Sequence, residues 1–589
     1  MNLERRSLIA QWAFDTRPVL GRFHLWLEDV EESWSKGEPS GGLSFVGPGL
    51  EKGFVMAAAV TALGTRLFGR YGEGAGLDKA RVNRVKKDAD AMSAYALSEA
   101  LWYLTRNLPE NHAVMVCLGE GLMPKGGETP DMGSNPLLGF GRVYARPQVA
   151  RFLDRRVTWL INDPKFTWEE FRRHVQAANI TVWGAAVDTL ENTTRFALGE
   201  PTGPLTVFHL FDQPLRVSRP YEGYMGTLIL PREVVETASR ESILVNYHTP
   251  RSLVFEAIRR TYPHVAAGNV HVWTLGGEGR RGRIGTLWEE WRRLGAHVVE
   301  NGWVQPWSGF SVFNDSGTYA PVFAVGLHRD PTGTDHLFLV DGYAATAEAM
   351  QAASLDPILD LHTSLCLFTS RFKVSWEHEK DVMQLDPADP DFPRRLASTL
   401  AREVAPDEVE EFRAILAEAK HAGMPLGRRT VTVDDFFPEK SWRVLAVAGY
   451  LLPDPYSGAA GVEQVRDGVY RVTTRAATES GLLETAITLR LMEPMDEMRL
   501  VFSPLLDRFY AGVDWRRRAV KVSDSGRIRN ELQTLASGAL DFLPDGRIRV
   551  DFARVEDAVL PADKKALIRE VLLWYKQNHP IWFSWLEVV

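Results

Sequence analysis

The strongest constraint on the fold is a stretch between residues 241 and 300 in which short apolar segments alternate with amphipathic ones. The apolar segments are ESILVNYH, NVHVWTL and AHVVENG, and the amphipathic segments are PRSLVFEAIRRTYP and TLWEEWRRLG. Apolar residues three and four apart are typical of a helix, whereas short runs rich in valine and isoleucine are typical of buried strands. We therefore predict a β-α-β-α-β unit whose strands belong to a parallel or mixed sheet.

The segments that flank this unit extend the same alternation. Strands are predicted at RVTWLIND, NITVWGAAVD, LTVFHLF and YMGTLILP, and a helix at WEEFRRHVQAA. A chain of 589 residues is too long for a single core, so several domains are expected. We expect an α/β fold with a Rossmann-like parallel or mixed sheet in the middle, a helical N-terminal layer and a C-terminal α+β unit. The predicted regions are 1–110, mainly helical; 111–235, α/β with a Gly-rich loop; 236–385, the β-α-β-α-β unit with a hairpin and the ligand site; 386–430, a linker and helix; and 431–589, the α+β unit.

Composition narrows the classes of partner. The formal charge of −8 is spread along the chain without a basic run, which argues against nucleic acid as the main partner. No window of about 18 apolar residues occurs and the first residues lack a signal-peptide pattern, so neither a membrane span nor export is expected. Only Cys117 and Cys366 are present, which favours free thiols and a cytoplasmic location.

The segment GGEGRRGRIG, after the second predicted strand, is the best candidate for a ligand-binding loop. Its glycines allow backbone N–H groups to approach an anion, and its arginines offer forked donors suited to phosphate or carboxylate. The candidate substrate-binding residues are Gly276, Gly277, Glu278, Gly279, Arg280, Arg281 and Arg283. Thr249 and Asn301 follow the neighbouring strands and are expected at the same edge. The alternative is a surface turn whose arginines pair with Glu289 and Glu290.

This stretch resembles the core of the sugar-1-phosphate isomerase and translation-initiation-factor-2B-like family. The segments that carry the resemblance are ILVNYHTPRSLVFEAIRR, VHVWTLGGEGRRGRIGTLWEEWRRLGAHVV and, more faintly, DHLFLVDGY. It implies that Asp341 matches the acid/base aspartate of that family and that the arginine loop faces a sugar phosphate.

A second cluster of polar residues lies on a predicted hairpin. The segments TYAPVFAVGLHRD and DHLFLVDGY flank the turn PTGT, which makes His328 and His336 cross-strand neighbours. Together with Asp330, these imidazoles can hold a divalent metal such as Mg²⁺, Mn²⁺ or Zn²⁺. The alternative is an ordinary surface hairpin with polar residues at its tip.

These features favour a cytoplasmic enzyme that acts on a phosphorylated or otherwise anionic small metabolite, with a sugar phosphate as one candidate. The chemistry would be that of an isomerase, of a lyase or aldolase, or of a phosphatase, with His248, Asp341 and Lys125 as candidate catalytic residues. The alternative is a non-catalytic metabolite-binding or homo-oligomeric assembly protein. Self-association into a homo-oligomer is expected in either case.

Overall fold

The computed structural model shows a mixed α/β protein. It describes residues 25–35, 50–105, 108–119, 137–163, 165–216, 224–274, 278–299, 319–368, 374–421, 430–431, 433–437, 439, 443–454, 458–478, 481–491, 539–555, 562–578, 580–581 and 583–589. The chain divides into two compact units. Unit 1 comprises Met1–Val19, Val30–Glu463 and Arg471–Ile487, and unit 2 comprises Leu20–Asp29, Gln464–Tyr470 and Thr488–Val589.

The described strands and helices alternate along most of the chain. The strands are β1 Leu25–Ser35, β2 His112–Leu118, β3 Val143–Ala145, β4 Thr181–Glu191, β5 Leu205–Phe211, β6 Tyr224–Pro231, β7 Val270–Trp273, β8 His297–Val299, β9 Gly326–Arg329, β10 Asp335–Ala345, β11 Leu361–Phe368, β12 Thr430–Val431, β13 Val444–Tyr450, β14 Val462–Arg466, β15 Val469–Thr478, β16 Gly481–Leu491, β17 Leu540–Phe542, β18 Ile548–Val550 and β19 Leu586–Val588. The helices are α1 Leu50–Phe68, α2 Lys79–Thr105, α3 Pro147–Asn162, α4 Trp168–Ala177, α5 Thr193–Leu198, α6 Arg232–Arg240, α7 Arg251–Thr261, α8 Glu278–Arg293, α9 Tyr319–Val322, α10 Thr346–Ala353, α11 Asp356–Leu359, α12 Trp376–Val382, α13 Phe392–Leu400, α14 Pro406–His421 and α15 Ala562–Asn578.

Two sheets contain most of the described strands. The first has the strand order β1-β16-β15-β13-β5-β4-β2-β3. The second has the order β12-β11-β6-β10-β7-β8, with β9 paired to β10. In the second sheet β10, β7 and β8 run parallel, whereas β6 and β9 are antiparallel to β10. The sheet that holds the candidate site is therefore mixed.

The second sheet is covered on both faces. On one face Leu228, Val272 and Leu339 pack with side chains of α7 and α8, such as Ile258 and Ile284. The other face packs on α10, which also contacts β4 of the first sheet. Alternate residues of each strand point to opposite faces, so both faces of these strands are apolar.

Unit 2 contains a small sheet in the order β17-β18-β19. The first pair is antiparallel and the second is parallel. Helix α15 contacts β19, and Ile548, Ile568 and Leu586 are buried.

The prediction of the first strand in the β-α-β-α-β segment, residues 241–300, is wrong. Residues 241–248 do not form a strand; they make turns between α6 and α7. Asn246 and Thr249 hold these turns, because the Asn246 backbone N–H donates to Thr249 Oγ1 and the His248 N–H donates to Asn246 Oδ1. Such local side-chain hydrogen bonds compete with strand pairing and override the apolar run ILV.

Two further elements differ from expectation. The segment RVTWLIND lies at the end of α3 rather than in a strand, because Leu153 and Val157 are spaced for a helix and both are buried. The segment GGEGRRGRIG is helical from Glu278 onward, so α8 begins inside the predicted loop. By contrast, the predicted hairpin is confirmed: β9 pairs with β10 and His328 lies opposite His336.

Candidate functional site

Asp341 lies in β10 and is fully buried. Its carboxylate accepts two hydrogen bonds from Arg251, Nε to Oδ2 at 2.7 Å and Nη2 to Oδ1 at 3.0 Å. The Trp291 indole N–H donates a third, to Oδ2 at 2.7 Å. This arrangement neutralises and solvates the carboxylate inside the protein, which favours a positioning role over direct contact with a substrate.

Arg251 connects Asp341 to the turn that precedes α7. Its Nη1 donates to the backbone oxygens of Tyr247 and Thr249, both at 2.8 Å, and the guanidinium lies 5.1 Å from the centre of the Tyr247 ring. Burial acts to lower the pKa of Arg251, but the Asp341 carboxylate outweighs it and the pKa lies above its ordinary value. The turn that carries His248 and Thr249 is thereby fixed to the sheet.

His248 is partly exposed and packs against Trp376 of α12, with ring centres 5.4 Å apart. The Trp376 indole N–H donates to Thr286 Oγ1 on α8 at 3.4 Å, and Thr286 in turn donates to Glu377. The structure therefore brings His248 next to the contact between α8 and α12. Its imidazole is the most exposed of the candidate acid/base groups described at this contact.

The three candidate arginines near the start of α8 have different environments. Arg283 is buried and pairs with the buried Glu379 of α12. Arg281 is exposed, and its guanidinium lies 5.6 Å from the centre of the Trp288 ring. Arg280 is partly buried; among the residues that the structure describes, no carboxylate pairs with it and no group accepts a hydrogen bond from its buried Nε.

The alternative, in which these arginines pair with Glu289 and Glu290, is not observed among the described side chains. Glu289 pairs with Arg292, and Glu290 accepts a hydrogen bond from the Arg251 backbone N–H at 3.1 Å. Arg283 therefore serves as a link between helices, whereas Arg280 has no carboxylate partner among the described residues.

Some predicted site residues fall outside the described part of the chain. These are Lys125, Gly276, Gly277 and Asn301. Glu278 and Gly279 form the start of α8, and only their backbone belongs to the described part.

The histidines of the hairpin belong to a longer series of imidazoles. His336 Nδ1 lies 2.8 Å from His271 Nε2, and His271 Nδ1 lies 2.9 Å from His297 Nδ1. His336 Nε2 lies 3.3 Å from Asp330 Oδ2. His328 is not in this series, because its Nε2 contacts the Ala324 backbone oxygen at 2.7 Å.

The described residues include no group of three or more histidine, cysteine, aspartate or glutamate side chains placed to hold one metal ion. The nitrogens of His328 and His336 have separate partners rather than a common centre. A metal site at His328, Asp330 and His336 therefore stays a prediction from the sequence.

Arg251 and Trp376 were not predicted as site residues. A basic residue at the first position of a helix, directly after Pro250, carries no signal that it will be buried. The partnership with Asp341 joins residues 90 positions apart, and only the fold brings them together.

No protein-family model matches the chain, and no curated protein is significantly similar to it. The resemblance to the sugar-1-phosphate isomerase and initiation-factor family therefore remains a prediction from short motifs. Separately, none of the helices in the described part of the chain is both long and apolar enough to cross a membrane.

Proposed function

We propose that this protein binds an anionic small metabolite at the N-terminal turns of α8, through Arg280. The observation that carries the proposal is the state of that guanidinium: its Nε is buried without an acceptor among the described residues, while Arg283 is engaged by Glu379. An unpaired donor that is buried is costly, so a bound anion is a natural partner for it. The positive end of the α8 dipole adds to the attraction.

A phosphate ester is the first class of ligand to consider, with sugar phosphates foremost. A guanidinium suits phosphate because it offers donors in a planar fork. The resemblance of residues 241–300 to sugar-1-phosphate isomerases supports the same class. The proposed setting is the cytoplasm, and the buried thiols of Cys117 and Cys366 fit a reducing compartment.

The catalytic form of the proposal assigns the acid/base role to His248. This imidazole is partly exposed beside the contact of α8 with α12, whereas Asp341 is sealed by Arg251 and Trp291. Isomerisation, carbon–carbon cleavage and phosphate hydrolysis all need a group that moves a proton, and histidine does so near neutral pH. The alternative is a binding or homo-oligomeric assembly protein, supported by the exposure of Arg281.

A thermal-shift screen of phosphorylated sugars and nucleotides tests this proposal. A ligand at about 100 times its dissociation constant stabilises the folded state by about 2.7 kcal/mol, which is a measurable rise in Tm. We expect at least one ester to raise the Tm of the wild-type protein, and Arg280→Ala to abolish the rise. Arg292→Ala, on the same helix, is the matched control and should keep it. A rise that persists in Arg280→Ala, or no rise with any ester, would contradict the proposal.

A further inference from the structure

The series of imidazoles lies at the edge of the second sheet and on the opposite face from Asp341. Val270 and Val272 of β7 point toward α8, so His271, between them, points to the other face. His297 is in the edge strand β8 and is exposed, His271 is buried, and His336 lies between His271 and Asp330. The series connects three neighbouring parallel strands and the turn after β9.

The hydrogen-bond contacts limit the number of protons that these three imidazoles can carry. A neutral imidazole has one N–H and one acceptor nitrogen, and the ionised Asp330 only accepts. With all three imidazoles neutral, each contact has one donor: His336 donates to Asp330, His271 to His336, and His297 to His271. The tautomers are inferred from this pattern of partners.

One additional proton can be accommodated, because the pattern of donors can reverse and leave any one of the three rings cationic. A second additional proton places two N–H groups against each other at one of the 2.8 or 2.9 Å contacts. In the unfolded chain all three histidines can be cationic. Opening of this edge is therefore linked to the uptake of three protons when the folded series is neutral, and of two when it already holds the additional proton.

We propose that His297, His271, His336 and Asp330 form an acid-sensitive latch that holds β8 and the β9–β10 hairpin to β7 at neutral pH and releases this edge on acidification. The proposal is independent of the anion site. It concerns the opposite face of the sheet and needs no ligand.

The surroundings of the latch favour the neutral state. Burial, then His297 and His336, lowers the pKa of His271 to about 3, and burial also lowers that of His297. Hydrogen bonds from Thr332 and neighbouring groups lower the pKa of Asp330 to about 2, so its carboxylate stays ionised.

The other described titratable groups nearby have partners of their own. Asp335 binds Arg329 and His264. His328 contacts the Ala324 oxygen, and burial lowers its pKa. Phe338 stacks on His271 and supplies no charge.

The direction of the effect follows from these shifts. A histidine whose pKa is lowered in the fold contributes stability that is complete above the unfolded value near 6.5 and is lost as the pH falls toward the folded value. The edge should therefore be most firmly held at neutral and alkaline pH.

Hydrogen exchange of the full-length protein, followed by mass spectrometry, tests the latch. Exchange is compared at about pH 7.5 and about pH 5.5 after correction for the intrinsic rate. Each histidine that takes up a proton on opening lowers the protection of β7, β8 and β10 about tenfold over this range. The loss is therefore about a hundredfold for two protons and about a thousandfold for three. Peptides from β15 and β16, which contain no histidine, serve as the internal reference.

His271→Gln removes the central titratable group and should reduce this acid-dependent loss at least threefold. His297→Gln makes the same test at the exposed end of the series. His264→Gln is the control, since His264 is half exposed and outside the series. An acid response equal in wild type, His271→Gln and His297→Gln would overturn the proposal, as would the absence of any response at this edge in the wild type.

Discussion

At the scale of single residues, the environment of Asp341 determines how it can act. The carboxylate accepts from Arg251 and Trp291, and both ionic partners are almost completely buried. A buried charge that loses its partner keeps its desolvation cost without the compensating attraction. The pair therefore fixes the turn that carries His248, and this positioning is the contribution that the geometry supports.

Replacement of Asp341 tests this interpretation. Asp341→Ala should lower the free energy of unfolding by about 3–5 kcal/mol, because the buried Arg251 loses its carboxylate partner and the Trp291 indole N–H loses its acceptor. The double variant Arg251→Met/Asp341→Leu should lose less, since it removes both charges together. Urea unfolding followed by fluorescence measures both values. A loss below about 1 kcal/mol for Asp341→Ala would contradict a structural ion pair.

The two cysteines should be inert in the native protein. Both are buried, and burial raises the pKa of the Cys117 thiol to about 12. Because the thiolate is the reactive form, a maleimide or aromatic disulfide reagent at about pH 8 should label neither cysteine in the folded state and both after unfolding. Rapid labelling of Cys117 in the folded protein would show that this core opens far more readily than its packing implies.

At the scale of elements, α8 and α12 are joined by a buried ion pair. Arg283 and Glu379 are buried, and Thr286 donates to Glu377 one helical turn away. The role of Arg283 is therefore to hold the two helices together, which differs from the anion-binding role proposed for Arg280.

A double-mutant cycle on Arg283→Met and Glu379→Gln measures this link. The coupling energy should be about 1–3 kcal/mol, in the range found for contacting residues. The exposed pair Arg292 and Glu289 on the same helix is the control, and its coupling should stay near 0.3–0.5 kcal/mol. Equal couplings for the two pairs would mean that burial adds nothing to the contact between the helices.

Some strands and helices could be predicted from the sequence, because their apolar spacing is regular. Helix α4, strands β4, β5 and β6, and the β9–β10 hairpin follow this rule. The prediction of a strand at residues 156–163 was wrong because VTWLI, considered alone, fits a strand as well as a helix. The preceding helical turn, which contains Leu153, favours the helix. The prediction of a strand at residues 241–248 was wrong because the side-chain hydrogen bonds of Asn246 and Thr249 compete with strand pairing.

At the scale of the whole molecule, the pairing of strands that are distant in sequence cannot be predicted from the periodicity of apolar residues. Strand β5 pairs with β13 and β6 pairs with β11, across more than a hundred residues, and no local spacing encodes either choice. The same holds for the site. His248, Arg283 and Asp341 were predicted as site residues, but the side chains that connect them come from α7 and α12, and only the fold reveals Arg251, Trp376 and Glu379 as their partners.

The central claim is that Arg280 gives this protein an anion site, and calorimetric titration tests it most directly. The ester that stabilises the protein most is titrated into the wild type, Arg280→Ala and Arg292→Ala. We expect saturable binding to the wild type and to Arg292→Ala, with affinity reduced at least tenfold in Arg280→Ala, which corresponds to about 1.4 kcal/mol. Equal affinity in all three proteins would contradict the claim and place the ligand elsewhere.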